Sequence, residues 1–261
     1  MIYSTIMSMR PLSSLIVVTL IFSSASASVH IVPDLPKLVV KDGISLLVSP
    51  VHFSKVDWLY VGIGTSLTLS SMSMDRWARD EVGRGRSEKT PFIIRSADVI
   101  SSPYVLFGLP IGLYLLGEVS DSDKLRLTGV EGTEALVLSI GSAYILKFMT
   151  GRDRPLYSDS PFHFCGPHTF SDEHLSMPSI HTTAFSALVT VITERANFPP
   201  LTDFLFLSIG AVGASRVWHS EHWTSDAVLG GLLGYAIGRF VVKRHKEEEN
   251  VNSKIEGDIR F

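Results

Sequence analysis

One cysteine, Cys165, stands in the whole chain, so no internal disulfide can form and no second thiol is spaced to complete a cysteine-based zinc site. It is expected as a lone, half-buried thiol. Excess charge of either sign is also missing: 23 Lys and Arg face 26 Asp and Glu, leaving a net charge of −3. A polyanion such as nucleic acid finds no extended basic surface here, so any chemistry on an anionic ligand must be local. Strand-like alternation with closely spaced turns is scarce, and no self-similarity recurs at a period of about 20 to 50 residues. Composition does not shift along the 261 residues either, and one principal domain is the reading.

What is present begins with an export signal. Arg10 precedes the apolar run Leu15 to Phe22, and small residues follow to Ala25-Ser26-Ala27, which predicts a signal peptide over 1–27 and an extracytoplasmic or periplasmic protein. Residues 28–56 are broken by Pro33, Pro36 and Pro50 and carry a Lys41-Asp42-Gly43 turn signal, so an irregular N-terminal arm is expected. Six apolar stretches of helical length follow: Trp58 to Met74, Val99 to Gly117, Thr133 to Met149, Thr182 to Glu194, Asp203 to Val217, and Ser225 to Val242. They predict an all-α domain over 57–242. Beyond it, residues 243–261 lose their apolar side chains and read as a disordered, charged tail.

Hydropathy divides on the membrane. Val99 to Gly117 is uncharged over nearly a bilayer's width, and Trp58 to Met74 comes close. The later stretches are interrupted by charge after about 12 residues, which is nearer a buried core helix. Between Glu118 and Glu134 acids outnumber bases, against the positive-inside pattern, whereas Lys243 to Lys246 fits it. The balance favours a soluble or peripherally bound exported bundle, with a polytopic protein as the alternative. The stretch Asp75 to Lys89, with Arg76, Arg79, Arg84 and Arg86, reads as a solvated loop or a lipid-headgroup contact.

Three segments concentrate chemistry. In Lys147-Phe148-Met149-Thr150-Gly151-Arg152-Asp153-Arg154-Pro155, Lys147 and Arg154 are two helical turns apart, but Gly151 and Pro155 end a helix, so their convergence needs a folded loop. In Pro178-Ser179-Ile180-His181, a serine cap opens an apolar helix, and the free N–H groups there attract an anion. His181 at that rim can give a proton to a departing alkoxide. In Ser215-Arg216-Val217-Trp218-His219-Ser220-Glu221-His222-Trp223-Thr224-Ser225-Asp226, His222 and Asp226 are four apart. On a helix they share a face, where the carboxylate can hold one ring nitrogen and free the other to attack. Trp218 and Trp223 are expected to pack, and His163, His168 and His174 fall on a loop over the site.

Together the segments resemble the signature of the type 2 phosphatidic acid phosphatase (PAP2) superfamily: Lys, six residues, Arg-Pro; Pro-Ser-Gly-His; Ser-Arg, five residues, His, three residues, Asp. The resemblance implies a six-helix core of the kind shared by these phosphatases and the vanadium haloperoxidases. It implies that Lys147, Arg154 and Arg216 bind phosphoryl oxygens with Ser179 and the backbone N–H of Ile180. It also implies that His222 is the nucleophile, that Asp226 orients it, and that His181 is the general acid and then the base. The activity implied is hydrolysis of phosphate monoesters or diphosphates, lipid phosphates above all, with no cofactor and no metal. The one departure is Ile180, where the pattern has glycine; a β-branched residue costs of order 1 to 3 kcal/mol there if positive φ is required. Two alternatives stay open, a vanadium-dependent haloperoxidase and a non-catalytic phosphate-headgroup binder, and no feature fixes an oligomeric state.

Overall fold

The computed structural model describes residues 35–85, 90–167 and 171–259, with side chains described to Val251. The expected signal peptide lies outside the described residues. Among those described there are nine α-helices and no strand, only an isolated bridge between Arg152 and Phe164. The helices are α1 (Leu35–Val48), α2 (Lys55–Met72), α3 (Asp75–Gly85), α4 (Phe92–Ile100), α5 (Pro103–Val119), α6 (Asp123–Thr150), α7 (Ile180–Ala196), α8 (Pro199–Trp218) and α9 (Thr224–Ile259). The all-α class holds, with three helices more than the six expected.

Each extra helix has a local cause. The Lys41-Asp42-Gly43 segment, expected to turn within an irregular arm, lies inside α1 because Asp42 is buried and its carboxylate accepts from Arg244 on α9 at 2.9 Å. Asp75 to Gly85 is helical rather than a loop, with Asp75 buried beneath it. The single stretch expected over 99–117 is divided: Ser102 caps α5, Pro103 takes its first turn, and α4 meets α5 at a 55° bend.

The charged tail is likewise corrected. α9 continues to Ile259, and its polar part pairs with three other helices. Lys41 bonds Glu248 at 2.7 Å, Arg195 bonds Glu249 at 2.8 Å, and buried His245 Nε2 lies 2.7 Å from Glu134 Oε2. A run without apolar residues is ordered here by cross-helix ion pairs, partners that hydropathy cannot see.

α7 is the axis of the bundle. One face packs Ala184, Phe185 and Leu188 against Ala97, Leu106, Leu136 and Val212; the other packs Ala187 and Val191 against Ala135, Leu138, Ile237 and Val241. A helix apolar all round is what such a position demands. α9 approaches α7 closely because Gly230, Gly234 and Gly238 form a bare stripe: a Cβ at Gly230 would lie 2.8 Å from the Ser179 carbonyl oxygen, and one at Gly238 would lie 2.7 Å from that of Ala187. At Gly234 the added carbon would run into the Thr183 carbonyl oxygen. Gly234→Ala is therefore expected to separate the helices and destabilise the fold by about 1 to 3 kcal/mol or more, read as a lowered midpoint in thermal unfolding. A melting temperature unchanged from wild type would contradict this contact.

The outer helices are covered far less. α2 exposes Trp58, Leu59, Tyr60, Ile63, Leu67 and Leu69, while only Thr68 of the helix is buried. α5 exposes Tyr104, Leu109, Leu115 and Leu116. By length and composition, Thr224–Val251 within α9 is the one described helix apolar enough to cross a membrane, and α4 with α5 pass the same test as a bent pair.

Candidate active site

The three segments meet at one end of the α7–α9 contact. Lys147 occupies the last turn of α6, buried, and its ammonium donates to the carbonyls of Leu175 and of Ser176, the latter at 3.0 Å. Gly151 then ends the helix at φ +55°, pressed against the backbone of Gly166 so closely that no side chain fits. The chain folds back as expected, placing Arg154 on a loop where its guanidinium bonds Asp172 at 2.6 Å. Ser179 caps α7, its hydroxyl accepting from the Thr182 N–H at 3.5 Å, so Ile180 and His181 form the first turn with its outward-facing N–H groups. Ile180 is not among the described residues with positive φ, so the strain anticipated for a non-glycine residue is absent.

Arg216 ends α8, bonded to Asp98 and, at 3.2 Å, to Glu221. His222 precedes α9 rather than riding on it, and Asp226 lies in the helix's first turn. Their spacing of four still brings His222 Nδ1 to 3.7 Å from Asp226 Oδ2, longer than a hydrogen bond, and Nδ1 is buried without a hydrogen-bond partner among the described residues. Motifs two and three are tied directly, since the Ser179 N–H donates to the Asp226 carbonyl at 3.0 Å.

Beneath Asp226 lies a network that sequence reasoning missed. Its Oδ1 accepts from Arg152 at 2.5 Å, and its Oδ2 from the Ser176 hydroxyl at 2.5 Å and the Trp223 N–H at 2.8 Å. The Arg152 guanidinium continues to Asp75 Oδ2 at 2.7 Å, and Ser225 donates its N–H and hydroxyl to the same carboxylate. The side chains of Arg152, Asp75 and Asp226 are wholly buried. Arg152, the Ser176 hydroxyl and the Trp223 N–H hold Asp226 as a carboxylate where an imidazole that becomes cationic would profit from it, while burial pushes the Asp75 carboxyl up. A cation between Gly151 and Asp153 was the available signal for Arg152. Asp75 and Asp98 gave none, since neither precedes or follows a motif.

The electrostatics divide the histidines from the cations. Burial, reinforced by Lys147, lowers the His222 pKa to about 3; burial, reinforced by Arg216, lowers that of His181 to about 4. Lys147 and Arg154 act on both rings in the same sense, so the two histidines share the field of the same cations. Burial and Arg154 also lower the Lys147 pKa to about 7. An anion seated among them would relieve that repulsion and raise all three. Such a site can hold an oxyanion, present a neutral imidazole to it, and steady the charge that forms.

Other expected features resolve simply. Trp223 packs, fully buried, and its Nε1 donates to the Asp153 carbonyl at 2.8 Å. Arg79 lies over that ring at 5.6 Å and reaches Asp159 at 2.9 Å, which anchors α3 to the loop. His219 pairs with Asp98 at 3.0 Å. Cys165 is the free, half-buried thiol expected, with His174 Nδ1 3.6 Å from its sulfur. His168 and Arg86 lie outside the described residues.

Comparison with known proteins gives one family. The model of the PAP2 superfamily matches residues 132–249. No curated protein matches the chain. Two solved structures are similar. LpxE of Aquifex aeolicus has 20% identity and a TM-score of 0.45, covering 63% of this chain and 92% of its own. The first transmembrane PAP2 type phosphatidylglycerolphosphate phosphatase, from Bacillus subtilis, has 15% identity and a TM-score of 0.48, covering 82% of this chain and 97% of its own.

Proposed function

Because residues 132–249 belong to the PAP2 superfamily, we propose that this protein is a phosphatase of lipid phosphate monoesters or diphosphates that works through a phosphohistidine on His222. The observation that carries the proposal is the buried His222 imidazole, 3.7 Å from the Asp226 carboxylate, whose pKa the nearby Lys147 and Arg154 help to lower. In this reading the cations and the first turn of α7 seat the phosphoryl oxygens. His222 Nε2 attacks phosphorus while Nδ1–H closes on Asp226, and the P–O bond to the leaving group breaks. His181 protonates the departing oxygen, then takes a proton from the water that attacks the phosphohistidine, releasing inorganic phosphate and restoring His222.

A lipid substrate is supported by a cavity of about 610 Å³ between α3, α7, α8 and α9, lined by Val82, Ile209, Val217 and Ala227 among others. It touches Thr182 and Thr224, neighbours in sequence of the two histidine segments, so an acyl or prenyl chain could lie there with its phosphate at His222. Membrane association follows from α2, whose 18 residues span about 27 Å and expose apolar side chains around most of the circumference. Export, with the site facing away from the cytoplasm, is part of the same proposal.

Two measurements test it. Acid-quenched turnover of a labelled lipid phosphate should trap phosphohistidine in the wild type and none in His222→Ala; equal labelling of both would end the assignment. The pH dependence follows from the pKa values: the free enzyme needs His222 neutral, above about 3, and His181 protonated, below about 4. The kcat/KM profile is therefore expected to be a narrow acidic bell, while that of kcat lies at higher pH, because bound phosphate raises both groups. A kcat/KM that rises steadily from acid to alkaline pH would contradict the roles given to the two rings.

A further inference from the structure

The loop between Gly151 and Ser179 carries a second cluster that phosphoryl transfer does not use. Asp153 lies between two imidazoles, its Oδ2 at 2.5 Å from His163 Nδ1 and its Oδ1 at 2.5 Å from His174 Nδ1. The Cys165 sulfur closes the group, 3.6 Å from His174 Nδ1 and 4.0 Å from His163 Nδ1. We propose that Asp153, His163, Cys165 and His174 form a binding site for one zinc ion.

The donor set is the first argument. A thiolate with two imidazoles and one carboxylate suits zinc, whereas calcium and magnesium prefer all-oxygen shells. Distance is the second. Tetrahedral zinc, with bonds of about 2.0 Å to nitrogen and about 2.3 Å to sulfur, sets its ligand atoms about 3.3 to 3.6 Å apart. The sulfur–nitrogen separations lie at or just beyond that range. The two carboxylate–imidazole contacts are shorter, so an ion would replace those hydrogen bonds by moving the rings apart by about 1 Å.

The backbone already assembles the ligands. Asp153 N–H donates to the His163 carbonyl at 3.2 Å, Cys165 N–H to the Gly151 carbonyl at 2.9 Å, and Arg154 N–H to the Glu173 carbonyl at 2.9 Å, beside His174. Three stretches of the loop are thus stapled together at the points that bear the ligands. Asp153 is buried, while the His163 side chain is 58% exposed, which leaves an entry path from solvent. On binding, the Cys165 thiol gives its proton to solvent, and each imidazole coordinates through the Nδ1 that faces Asp153.

The ion would act on the loop and not on the substrate. Asp153 sits between Arg152, which holds Asp226, and Arg154, which bonds Asp172, and its carbonyl accepts from the Trp223 indole Nε1–H. Fixing Asp153 fixes all three.

The test is read without substrate, so its outcome does not depend on the catalytic assignment. Full-length protein purified in metal-free buffer and loaded with zinc alone is assayed for zinc by elemental analysis, beside Cys165→Ser and His174→Ala. About one zinc per chain is expected in the wild type and less than a tenth of that in either variant. Zinc should raise the wild-type melting temperature and leave that of Cys165→Ser unmoved, which separates a lost ligand from a lost fold. Cobalt in place of zinc should show a thiolate charge-transfer band that Cys165→Ser lacks. Wild type without stoichiometric zinc, or zinc held equally by both variants, would overturn the site.

Discussion

Arg152→Met is expected to destabilise the protein by about 3 to 5 kcal/mol, the typical cost of stranding a buried charge by removing its partner. Here it strands two, since Asp75 and Asp226 both lie at zero exposure with Arg152 between them. The loss reaches the chemistry as well. Asp226 keeps the Ser176 hydroxyl and the Trp223 backbone N–H but loses the cation that fixes its Oδ1, so its position 3.7 Å from His222 is no longer fixed. A second change discriminates the two effects. Asp75→Asn added to Arg152→Met should restore much of the stability, because one stranded charge is gone, while kcat stays low because Asp226 remains unanchored. Thermal unfolding and kcat measured on the same preparations read the two separately, and an Arg152→Met protein as stable as wild type would refute the network.

His222→Ala should lower kcat by at least about a thousandfold, equivalent to some 4 kcal/mol of barrier. Among the described residues no second imidazole takes its place: His181 stands at the start of α7, and the neighbouring ring, His219, is already paired with Asp98. The cations are untouched, so inorganic phosphate should bind the variant within a few-fold of wild type. That split between lost turnover and retained binding separates a nucleophile from a residue that merely shapes the pocket. Residual turnover near a tenth of wild type would mean that water attacks phosphorus directly.

The helices of the core were legible in the sequence, because α6, α7 and α9 each carry a long apolar stretch, with serine caps opening α6 and α7 and Gly151 closing α6. The sequence also ordered the eight candidate site residues, because each stands at a short, fixed interval within its own segment. What stayed hidden were the groups that reach the site from elsewhere. Asp75 lies some 150 residues before Ser225, which it bonds, and its stretch reads as solvated because its burial depends on Arg152. The proposed zinc ligands escaped for a related reason: intervals of nine, one and eight residues between Asp153, His163, Cys165 and His174 match no regular ligand spacing, and only the folded loop draws them together. The tail failed on hydropathy alone, since the pairing of Glu248 with Lys41 follows from where α1 lies.

The reach of Asp75 and Asp98 has a consequence for how much of the chain makes a working unit. Both precede the span 132–249 that the family model covers, yet one neutralises half of Arg152 and the other grips Arg216. A fragment cut to the recognisable span would keep every motif residue but lose one carboxylate partner of each guanidinium, leaving Arg152 with Asp226 and Arg216 with Glu221. Autonomy therefore begins no later than α3, and the anterior helices are part of the candidate site's framework, not a mounting for it.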